Sequence, residues 1–405
     1  MTLRSLLVDF NSYFASVEQQ AEPRYRGRPI GVVPMLADTT VCIAASVEAK
    51  TFGVKTGTKV AEARKLCPGI EFVIARHELY IDYHHRAVGV VDSVVPVRAV
   101  LSIDEMDCEL TGRFRERARA LDLARKVKAA LASQVGECLR TSIGIGPNTF
   151  IAKTASDMVK PDGLVVIEQA ELPDRLFDLE VRALSGIGKQ MDKRLARHGI
   201  RTVRDLCKRT RDEMHALWGG IGGDVMWSRL RGEEQHERGG DTHSISHSSV
   251  IGPDHRNPAH AIAVLNRLTQ KAAMRLRKAG YYAARMSVDV KYLDGAHWRA
   301  EMRLVDTQDT KTFLHALEKL WSKRPREART ILKVGMAFSD LVSEAGHTGS
   351  LFASEGREKS LYDTVDKLNA RFGKQAVYFA SAHKARDRGG LAIAFNHIPD
   401  PKTDK

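Results

Sequence analysis

The segment LSIDEMDCEL, residues 101–110, sets four carboxylates into an otherwise apolar run. Like charges that close repel one another, so the fold has to supply positive charge beside them. Alternation along a strand puts the neighbours Asp104 and Glu105 on opposite faces, so the two converge only at a bend or at a strand end. The same alternation places Asp107 and Glu109 on the side of Glu105. Asp107 therefore either supports a site from behind or faces solvent, and we favour solvent.

A further acid, Asp9, ends the apolar run LRSLLVDF, whose length suits a buried strand. Carboxylates at strand ends suit a pair of Mg²⁺ ions, which take oxygen ligands and together clamp the attacking and leaving oxygens of a phosphoryl transfer. The alternative is a surface hairpin whose acids serve solubility. Lys153 and Lys160, seven residues apart on one predicted helical face, weigh against that alternative because lysines bind triphosphates well. Tyr13 and Phe14 suit a wall against a sugar or base, although an aromatic pair alone is usually core.

The chain alternates between strand-like and helix-like segments, and its 405 residues exceed one ordinary core. We therefore expect several domains of the α+β class. Strands and amphipathic helices interleave over residues 1–167, with a small Gly- and Pro-punctuated insertion at 21–75. Short helices occupy 171–236, and the polar RGEEQHERGGDTH follows as a linker. Beyond it the pattern predicts a βαββαβ unit and then one helix that ends at Gly373.

The composition favours a polyanionic partner such as nucleic acid, since 63 basic residues against 50 acidic ones give a formal charge of +13. A solvated basic surface is the alternative. Five scattered cysteines form no CxxC pair, so neither a zinc site nor a disulfide frame is indicated. The N-terminal segment meets an acid too early for a signal peptide, and no apolar run approaches the ~20 residues of a membrane span. We expect a soluble, cytoplasmic protein with no membrane partner, and a monomer because nothing demands an oligomer.

Two segments suit phosphate binding. SGIGKQMDKRL is typical of a helix-hairpin-helix, in which Gly186 and Gly188 let backbone N–H groups approach a phosphate and Lys189 adds charge. A G-x-G-K string alone is weak, because most such glycines only form turns. In the βαββαβ unit, Arg275 and Arg277 belong to a crowd of basic residues on one long helix, which suits contacts to DNA phosphates without reading sequence. A solvated helix face is the alternative.

Five strings carry a family resemblance, and they occur in the family's order: VDFNSYFASVE, VEAKTFGVKTG, LSIDE, TSIGIGPNTFIAKTASDMVKPDG and LSGIGKQMDKRLARHGI. In them the chain resembles the Y-family of DNA polymerases, the low-fidelity translesion enzymes, and most closely its DNA polymerase IV branch. The resemblance covers roughly residues 5–340. It implies a right hand with these parts: a palm at 1–168, small fingers inserted at about 20–75, a helix-hairpin-helix thumb at 169–236, a linker at 237–244, a little finger at 245–343 and a tail at 344–405.

The resemblance also implies an active site. Asp9, Asp104 and Glu105 become the catalytic carboxylates that hold two Mg²⁺ ions, with the main-chain carbonyl of Phe10 as a further oxygen ligand. The implied reaction is in-line attack of a primer 3′-oxygen on the α-phosphorus of a deoxynucleoside triphosphate, with pyrophosphate leaving. Primer–template DNA is the implied partner.

The incoming nucleotide has its own implied contacts. The ring of Phe14 matches a steric gate that would clash with a ribose 2′-OH. Lys160 matches a triphosphate contact, and the backbone amides of Tyr13 and Phe14 help to hold the same phosphates. On the fingers, Lys50 stands where the family commonly has Arg.

The chain departs from the family's pattern at two places. On the fingers, Val47 and Lys50 replace a common Tyr and Arg, so the charge stays but the bidentate fork is lost. After the catalytic pair the family often continues Ala-Tyr-Leu-Asp, whereas this chain has Met-Asp-Cys-Glu at 106–109. We therefore hypothesise a weaker affinity for the incoming nucleotide or an altered substrate preference.

The string HTGSLF resembles a short sliding-clamp-binding peptide in which a Gln precedes a Leu-Phe pair. Leu351 and Phe352 would be its anchors and the clamp a further partner, but the Gln is missing. The alternative is that the pair packs the tail onto the little finger.

Two other classes of function compete with a polymerase. One is a DNA-binding scaffold without synthesis, and the other is a metal-dependent nuclease. Retention of three mutually repelling carboxylates favours catalysis over the scaffold. The two lysines and the ring of Phe14 fit a bound nucleotide better than a nuclease site.

Overall fold

The computed structural model describes residues 3–234, 243–325, 329–348, 354–373, 376–388 and Ile398. The chain divides into two compact units, with residues 3–234 in the first and 243–388 in the second. The mixture of helix and sheet in both units confirms the predicted α+β class. No helix within the described ranges is long and apolar enough to cross a membrane.

The first unit contains eight strands among its described residues: β1 (Ser5–Phe10), β2 (Ile30–Val33), β3 (Ala44–Ala45), β4 (Glu71–Ile74), β5 (Val97–Val100), β6 (Glu105–Glu109), β7 (Thr141–Gly146) and β8 (Leu164–Val166). Its α-helices are α1 (Tyr13–Ala21), α2 (Val47–Thr51), α3 (Val60–Leu66), α4 (His77–Val94), α5 (Arg117–Gln134), α6 (Thr149–Met158), α7 (Lys189–Arg197), α8 (Val203–Cys207), α9 (Arg211–Trp218) and α10 (Ile221–Leu230).

A five-stranded sheet, in the order β5-β6-β1-β7-β8, organises this unit. Strand β1 lies at its centre, antiparallel to both β6 and β7, and all six of its residues are buried, which explains its apolar sequence. Helix α6 packs directly on β7 because Gly144 leaves no side chain between them. A Cβ at Gly144 would lie 2.0 Å from the carbonyl oxygen of Ala152. This close approach brings α6 down onto the sheet beside β1.

Two smaller cores complete the first unit. Strands β3, β2 and β4 form a three-stranded sheet that packs with α2 and α3 around Val33, Ala49 and Val60. The short helices α7–α10 share a second core around Leu195 and Met214. That second core continues into the α6 side chains Phe150, Ile151 and Ala155, so α6 is covered both by the sheet and by the short helices.

The second unit has the order βαββαβ, followed by a further helix: β9 (Ser244–Val250), α11 (Pro258–Lys278), β10 (Tyr281–Tyr292), β11 (His297–Thr307), α12 (Thr310–Ser322), β12 (Ile331–Ser343) and α13 (Ser354–Phe372). Its sheet has the strand order β11-β10-β12-β9 with every neighbouring pair antiparallel. Apolar side chains of α11 and α12 pack with those of the strands into one core. Of the predicted linker at 237–244, residues 237–242 lie outside the described residues and Ser244 begins β9.

Within the second unit, helix α13 is joined to α11 by an ion pair. Arg277, which sequence reasoning assigned to DNA, donates from Nε and Nη2 to the carboxylate of Asp366 on α13, at 2.7 and 2.9 Å. Its Nη1 donates to the Gln308 carbonyl and the Thr310 hydroxyl, both at 3.0 Å, and its side chain is only 7% exposed. The predicted DNA contact of Arg277 is therefore wrong, because its guanidinium is already engaged in joining α11 to α13. The predicted clamp anchors Leu351 and Phe352 lie outside the described residues.

Candidate active site

The three predicted catalytic carboxylates lie at one end of the central strands. Asp9, near the end of β1, is 3% exposed and pairs in register with Glu105, the first residue of β6. Asp104 precedes β6 in a bend, where its main-chain oxygen accepts the Phe10 N–H at 2.9 Å. The Ser102 hydroxyl donates to the Asp104 carboxylate at 2.6 Å. The bend removes the strict alternation of a strand, so neighbouring acids can serve one site.

The positive charge that these acids require comes from α6 and the turn after it. The Lys153 ammonium lies 2.5 Å from Asp9 Oδ2 and 2.9 Å from Glu105 Oε1. Lys160 reaches the same Asp9 oxygen at 2.9 Å. The two lysines converge, but not from one helical face as predicted, because α6 ends at Met158. The carboxylate of Asp157 forms ion pairs with both lysines.

Burial and charge oppose each other in this cluster. Burial raises the pKa of Asp104 and of Glu105, and the charge of Asp9 adds to the rise. Burial alone would lower the pKa of Lys153, but the charges of Asp9 and Glu105 outweigh it and raise that pKa well above its ordinary value. The carboxylates therefore hold the Lys153 ammonium in its charged form, and its charge in turn limits the rise in the pKa of Asp104 and Glu105.

The donor set fits a hard cation in its chemistry. Carboxylate oxygens of Asp9, Asp104 and Glu105 are the ligands that Mg²⁺ prefers. Lys153 already shows that positive charge is stable between Asp9 and Glu105. Within the residues that the structure describes, no group of three or more His, Cys, Asp or Glu side chains is arranged to hold a metal ion. The ammonium would have to leave the carboxylates before they could share a cation.

A cavity of about 850 Å³ opens beside the carboxylates. The N-terminus of α1 faces into it, because Ser12, Tyr13 and Phe14 all line the cavity. Ser12 adopts the left-handed conformation (φ 54°), and its hydroxyl has no hydrogen-bond partner among the described residues. The first backbone amides of a helix are free donors, so this end of α1 suits an anion.

The aromatic wall of the cavity rests on a buried polar contact that sequence reasoning missed. The Phe14 ring stacks on Tyr80 with centroids 4.6 Å apart, and the Tyr13 hydroxyl donates to the Tyr80 carbonyl at 2.8 Å. The Tyr80 hydroxyl in turn donates to buried Glu18 at 2.7 Å, and Arg76 pairs with the same carboxylate. Tyr80 and Arg76 lie some sixty residues from α1, so only the fold brings this support together.

The smaller sheet supplies the opposite side of the cavity. Val47 and Lys50, both on α2, line it together with Thr51 and Thr56. Burial lowers the pKa of Lys50, and the positive charge of Lys160 lowers it further. The two lysines therefore approach the same volume from different elements.

Asp107 contradicts the prediction that it faces solvent. It is 2% exposed and accepts hydrogen bonds from Ser5, Arg98 and Thr149. Glu109, by contrast, is exposed at the end of β6. Alternation gave the side of the strand correctly, but it does not tell whether that side is covered.

The residues predicted to contact DNA phosphates are on α7 and the turn before it, in the first unit, and on α11, in the second. Gly186 (φ 87°) and Gly188, which caps α7, are exposed, as is Lys189 at the first position of that helix. Arg275 is exposed on α11 of the second unit. These residues are accessible to a polyanion.

Similarity to known proteins identifies the family. The profile of the impB/mucB/samB family matches residues 8–157, and that of its C-terminal domain matches residues 242–351. The chain belongs to this family. A DNA polymerase IV of Moorella thermoacetica is 33% identical over 93% of this chain and 95% of its own length. A DNA polymerase IV of Pelotomaculum thermopropionicum is 31% identical over 96% of this chain and 98% of its own length.

The fold has a solved counterpart in a Y-family DNA polymerase chimera of Dbh and Dpo4. It superposes with a TM-score of 0.68 at 22% identity, and the match covers 84% of this chain and 99% of the chimera. This likeness shows the fold. The predicted resemblance to the DNA polymerase IV branch is confirmed by the two relatives above. So is the predicted enzyme class, a DNA-directed DNA polymerase, at the level of the family.

Proposed function

We propose that this impB/mucB/samB family chain is a template-directed DNA polymerase of the translesion type, which adds deoxynucleotides to a primer 3′ end. The observation that carries the proposal is the cavity beside β1 and β6. It combines three carboxylates, three lysines, a helix N-terminus and an aromatic wall in one volume of about 850 Å³. A nucleoside triphosphate presents a polyanion, a sugar and a base, and each matches one part of that lining.

Asp9, Asp104 and Glu105 would hold two Mg²⁺ ions, with the Phe10 carbonyl as a further ligand. Bound there, the ions would neutralise charge on the attacking and leaving oxygens of the phosphoryl transfer. In their absence Lys153 neutralises Asp9 and Glu105, and Ser102 orients Asp104 through its hydrogen bond.

The triphosphate would lie between the N-terminus of α1 and the lysines. The backbone amides of Tyr13 and Phe14, in the first turn of α1, would donate to it, and Lys160 and Lys50 would bring charge from two other elements. The ring of Phe14 would exclude a ribose 2′-OH. Its stack on Tyr80 fixes the ring, so the wall would not yield to the larger sugar.

The described elements support the division into a palm at 1–168 with fingers at about 20–75, a thumb at 169–236 and a little finger at 245–343. Gly186, Gly188 and Lys189 would contact DNA phosphates at the N-terminus of α7, where free amides and a lysine meet. Arg275 would add a contact from the second unit. Such contacts bind the backbone without reading sequence.

A primer-extension assay with a labelled primer tests the function. We expect the wild-type chain to lengthen the primer with Mg²⁺ and deoxynucleotides, and Asp104→Ala to abolish extension. Glu109→Ala is the matched control, because it removes an exposed acid from the same strand. Failure of the wild type to extend a primer that it still binds would instead support the scaffold. Shortening of the primer would support the nuclease.

A further inference from the structure

Asp107 is the centre of a buried polar cluster behind the carboxylates. The hydroxyl of Ser5 donates to its Oδ1. Its Oδ2 accepts Arg98 Nε at 2.9 Å, Arg98 Nη2 at 2.5 Å and the Thr149 hydroxyl at 3.1 Å. Arg98 Nη2 also donates to the Thr149 oxygen at 2.7 Å, which closes a triangle. These four residues, Asp107, Arg98, Thr149 and Ser5, are called the Asp107 cluster below.

The backbone of β5 is shaped to bring Arg98 into the cluster. Val97 pairs with Cys108 and Ala99 pairs with Asp107, so Arg98 occupies a bulge in an otherwise regular ladder. A bulge inserts one residue and re-aims its side chain, and such irregularities occur often beside active sites. The guanidinium fork then meets the carboxylate with two donors, a geometry that lysine cannot provide.

The cluster joins the two elements on which the proposed metal site depends. Glu105 lies two residues before Asp107 on β6. Thr149 is the first residue of α6, and Lys153 follows one turn later on the same helix. The ammonium and the Glu105 carboxylate are 2.9 Å apart. The distance between them therefore depends on how the first turn of α6 is fixed to β6, which is what the Asp107 cluster does.

We propose that Asp107 and Arg98 are positioning residues that align β6 with α6 and so set the geometry of the carboxylates for the polymerase reaction. The inference rests on the proposed function for its kinetic consequence. It also has a consequence that is independent of catalysis, since loosening the cluster should open β6 and the start of α6 before the rest of the first unit. By the resemblance described above, the family often has Tyr at the position of Asp107, where this chain has an acid paired with Arg98.

Arg98 has a second, outer contact, which provides a matched control. Its Nη1 lies 3.6 Å from Glu234 Oε1, beyond the end of α10. Both side chains are about one-third exposed, so this contact is weak and screened by salt. Glu234→Gln weakens it together with the exposed ion pair between Glu234 and Arg4, and leaves the Asp107 carboxylate and its three donor residues in place.

The test compares Asp107→Asn and Thr149→Val with Glu234→Gln. Single-nucleotide insertion is measured well below the melting temperature of each variant. We expect kcat to fall about tenfold or more in Asp107→Asn, because a misplacement of ~1 Å can cost about a hundredfold, while KM stays within about twofold. Thr149→Val removes one hydroxyl and should fold normally, with a smaller fall in kcat. Glu234→Gln should match the wild type.

Hydrogen exchange without metal or substrate gives the second readout. In Asp107→Asn we expect faster exchange in peptides covering 101–110 and 147–158, and unchanged exchange in a reference peptide from β4. Wild-type kcat in Asp107→Asn, equal loss in Glu234→Gln, or faster exchange throughout the first unit would each overturn the inference. If the wild type did not extend primers, the proposed function would fail, while the exchange comparison would still decide whether the cluster aligns β6 and α6.

Discussion

Replacing Lys153 by Met tests whether an ammonium holds the place of a metal ion among the carboxylates. Methionine keeps much of the length and volume of the side chain but removes its charge. Lys153 is 18% exposed and contacts Asp9, which is almost fully buried, and Glu105. Removing the charge should therefore leave repelling carboxylates in a buried place.

The magnitude follows from these contacts. Breaking a buried ion pair from one side typically costs about 3–5 kcal/mol. Here Asp9 retains Lys160 at 2.9 Å and Glu105 is partly exposed, so we expect a loss of about 2 kcal/mol in the free energy of unfolding. For a unit of this size that corresponds to a fall of about 4–8 °C in melting temperature. Asp157→Asn is the control, because that acid is exposed and its loss should cost about 1 kcal/mol or less.

The assay is thermal unfolding with and without Mg²⁺. At the proposed metal site a cation would displace the Lys153 ammonium in the wild type. In Lys153→Met it would meet Glu105 without that ammonium, and Lys160 alone would remain on Asp9. Binding to the folded state alone stabilises it, so millimolar Mg²⁺ should raise the melting temperature of the variant more than that of the wild type. A variant that melts within about 1 °C of the wild type without metal, or an equal Mg²⁺ shift in both, would refute the reasoning.

The same variant should respond to pH with a defined sign. Burial raises the pKa of Asp104 and Glu105 in the folded state. Each group therefore favours folding below its unfolded pKa, and this advantage is lost as the pH rises through the raised folded value. Because protonated carboxyls need no ammonium, the gap between wild type and Lys153→Met should shrink as the pH falls through that window.

Three further outcomes are expected. The double variant Val47→Tyr with Lys50→Arg should lower the KM for deoxynucleotides about tenfold, because it restores a bidentate contact worth ~1.4 kcal/mol. Steady-state kinetics that gave an unchanged KM would count against this prediction. Phe14→Ala should raise the incorporation of ribonucleotides relative to deoxynucleotides about ten- to a hundredfold, measured as the ratio of the two kcat/KM values. An unchanged ratio would show that Phe14 is not a steric gate. Asp366→Asn should lower the free energy of unfolding of the second unit in urea by about 3 kcal/mol, because the Arg277 guanidinium loses its carboxylate. Asp363→Asn, which changes an exposed acid on the same helix, should have little effect. Equal effects of the two variants would contradict the buried pair.

The carboxylates could be predicted from sequence because local rules govern them. An apolar run that ends in an acid predicts a buried strand with its carboxylate at the edge, and Asp9 follows that rule. The pair Asp104 and Glu105 required a bend, and the bend is present before β6. The βαββαβ order of the second unit was also readable, since each element there has a strong period of its own.

Partners across the fold were not predictable in this way. Asp107 looked like a solvent-facing acid because alternation says nothing about what covers a strand. Its cover comes from a bulge at Arg98 and from the first turn of α6, which are irregular or distant in sequence. The prediction for Arg277 is wrong in the same way, because a buried side chain was predicted to be exposed. It looked like part of a free basic face, and its partner Asp366 lies 89 residues away on a helix that the pattern did not connect with α11.

The buried Asp107 and the partly exposed Glu105, both on β6, differ in how their charge is balanced, and this difference bears on function. Glu105 faces an ammonium on a flexible stem, a point charge that makes one contact with it and that a metal ion would replace at the proposed site. Asp107 accepts two guanidinium donors from Arg98 and the hydroxyls of Thr149 and Ser5, so its charge is balanced within the fold. At the proposed metal site, exchange of the Lys153 ammonium at Glu105 would leave the contacts of Asp107, two residues further along the same strand, unchanged.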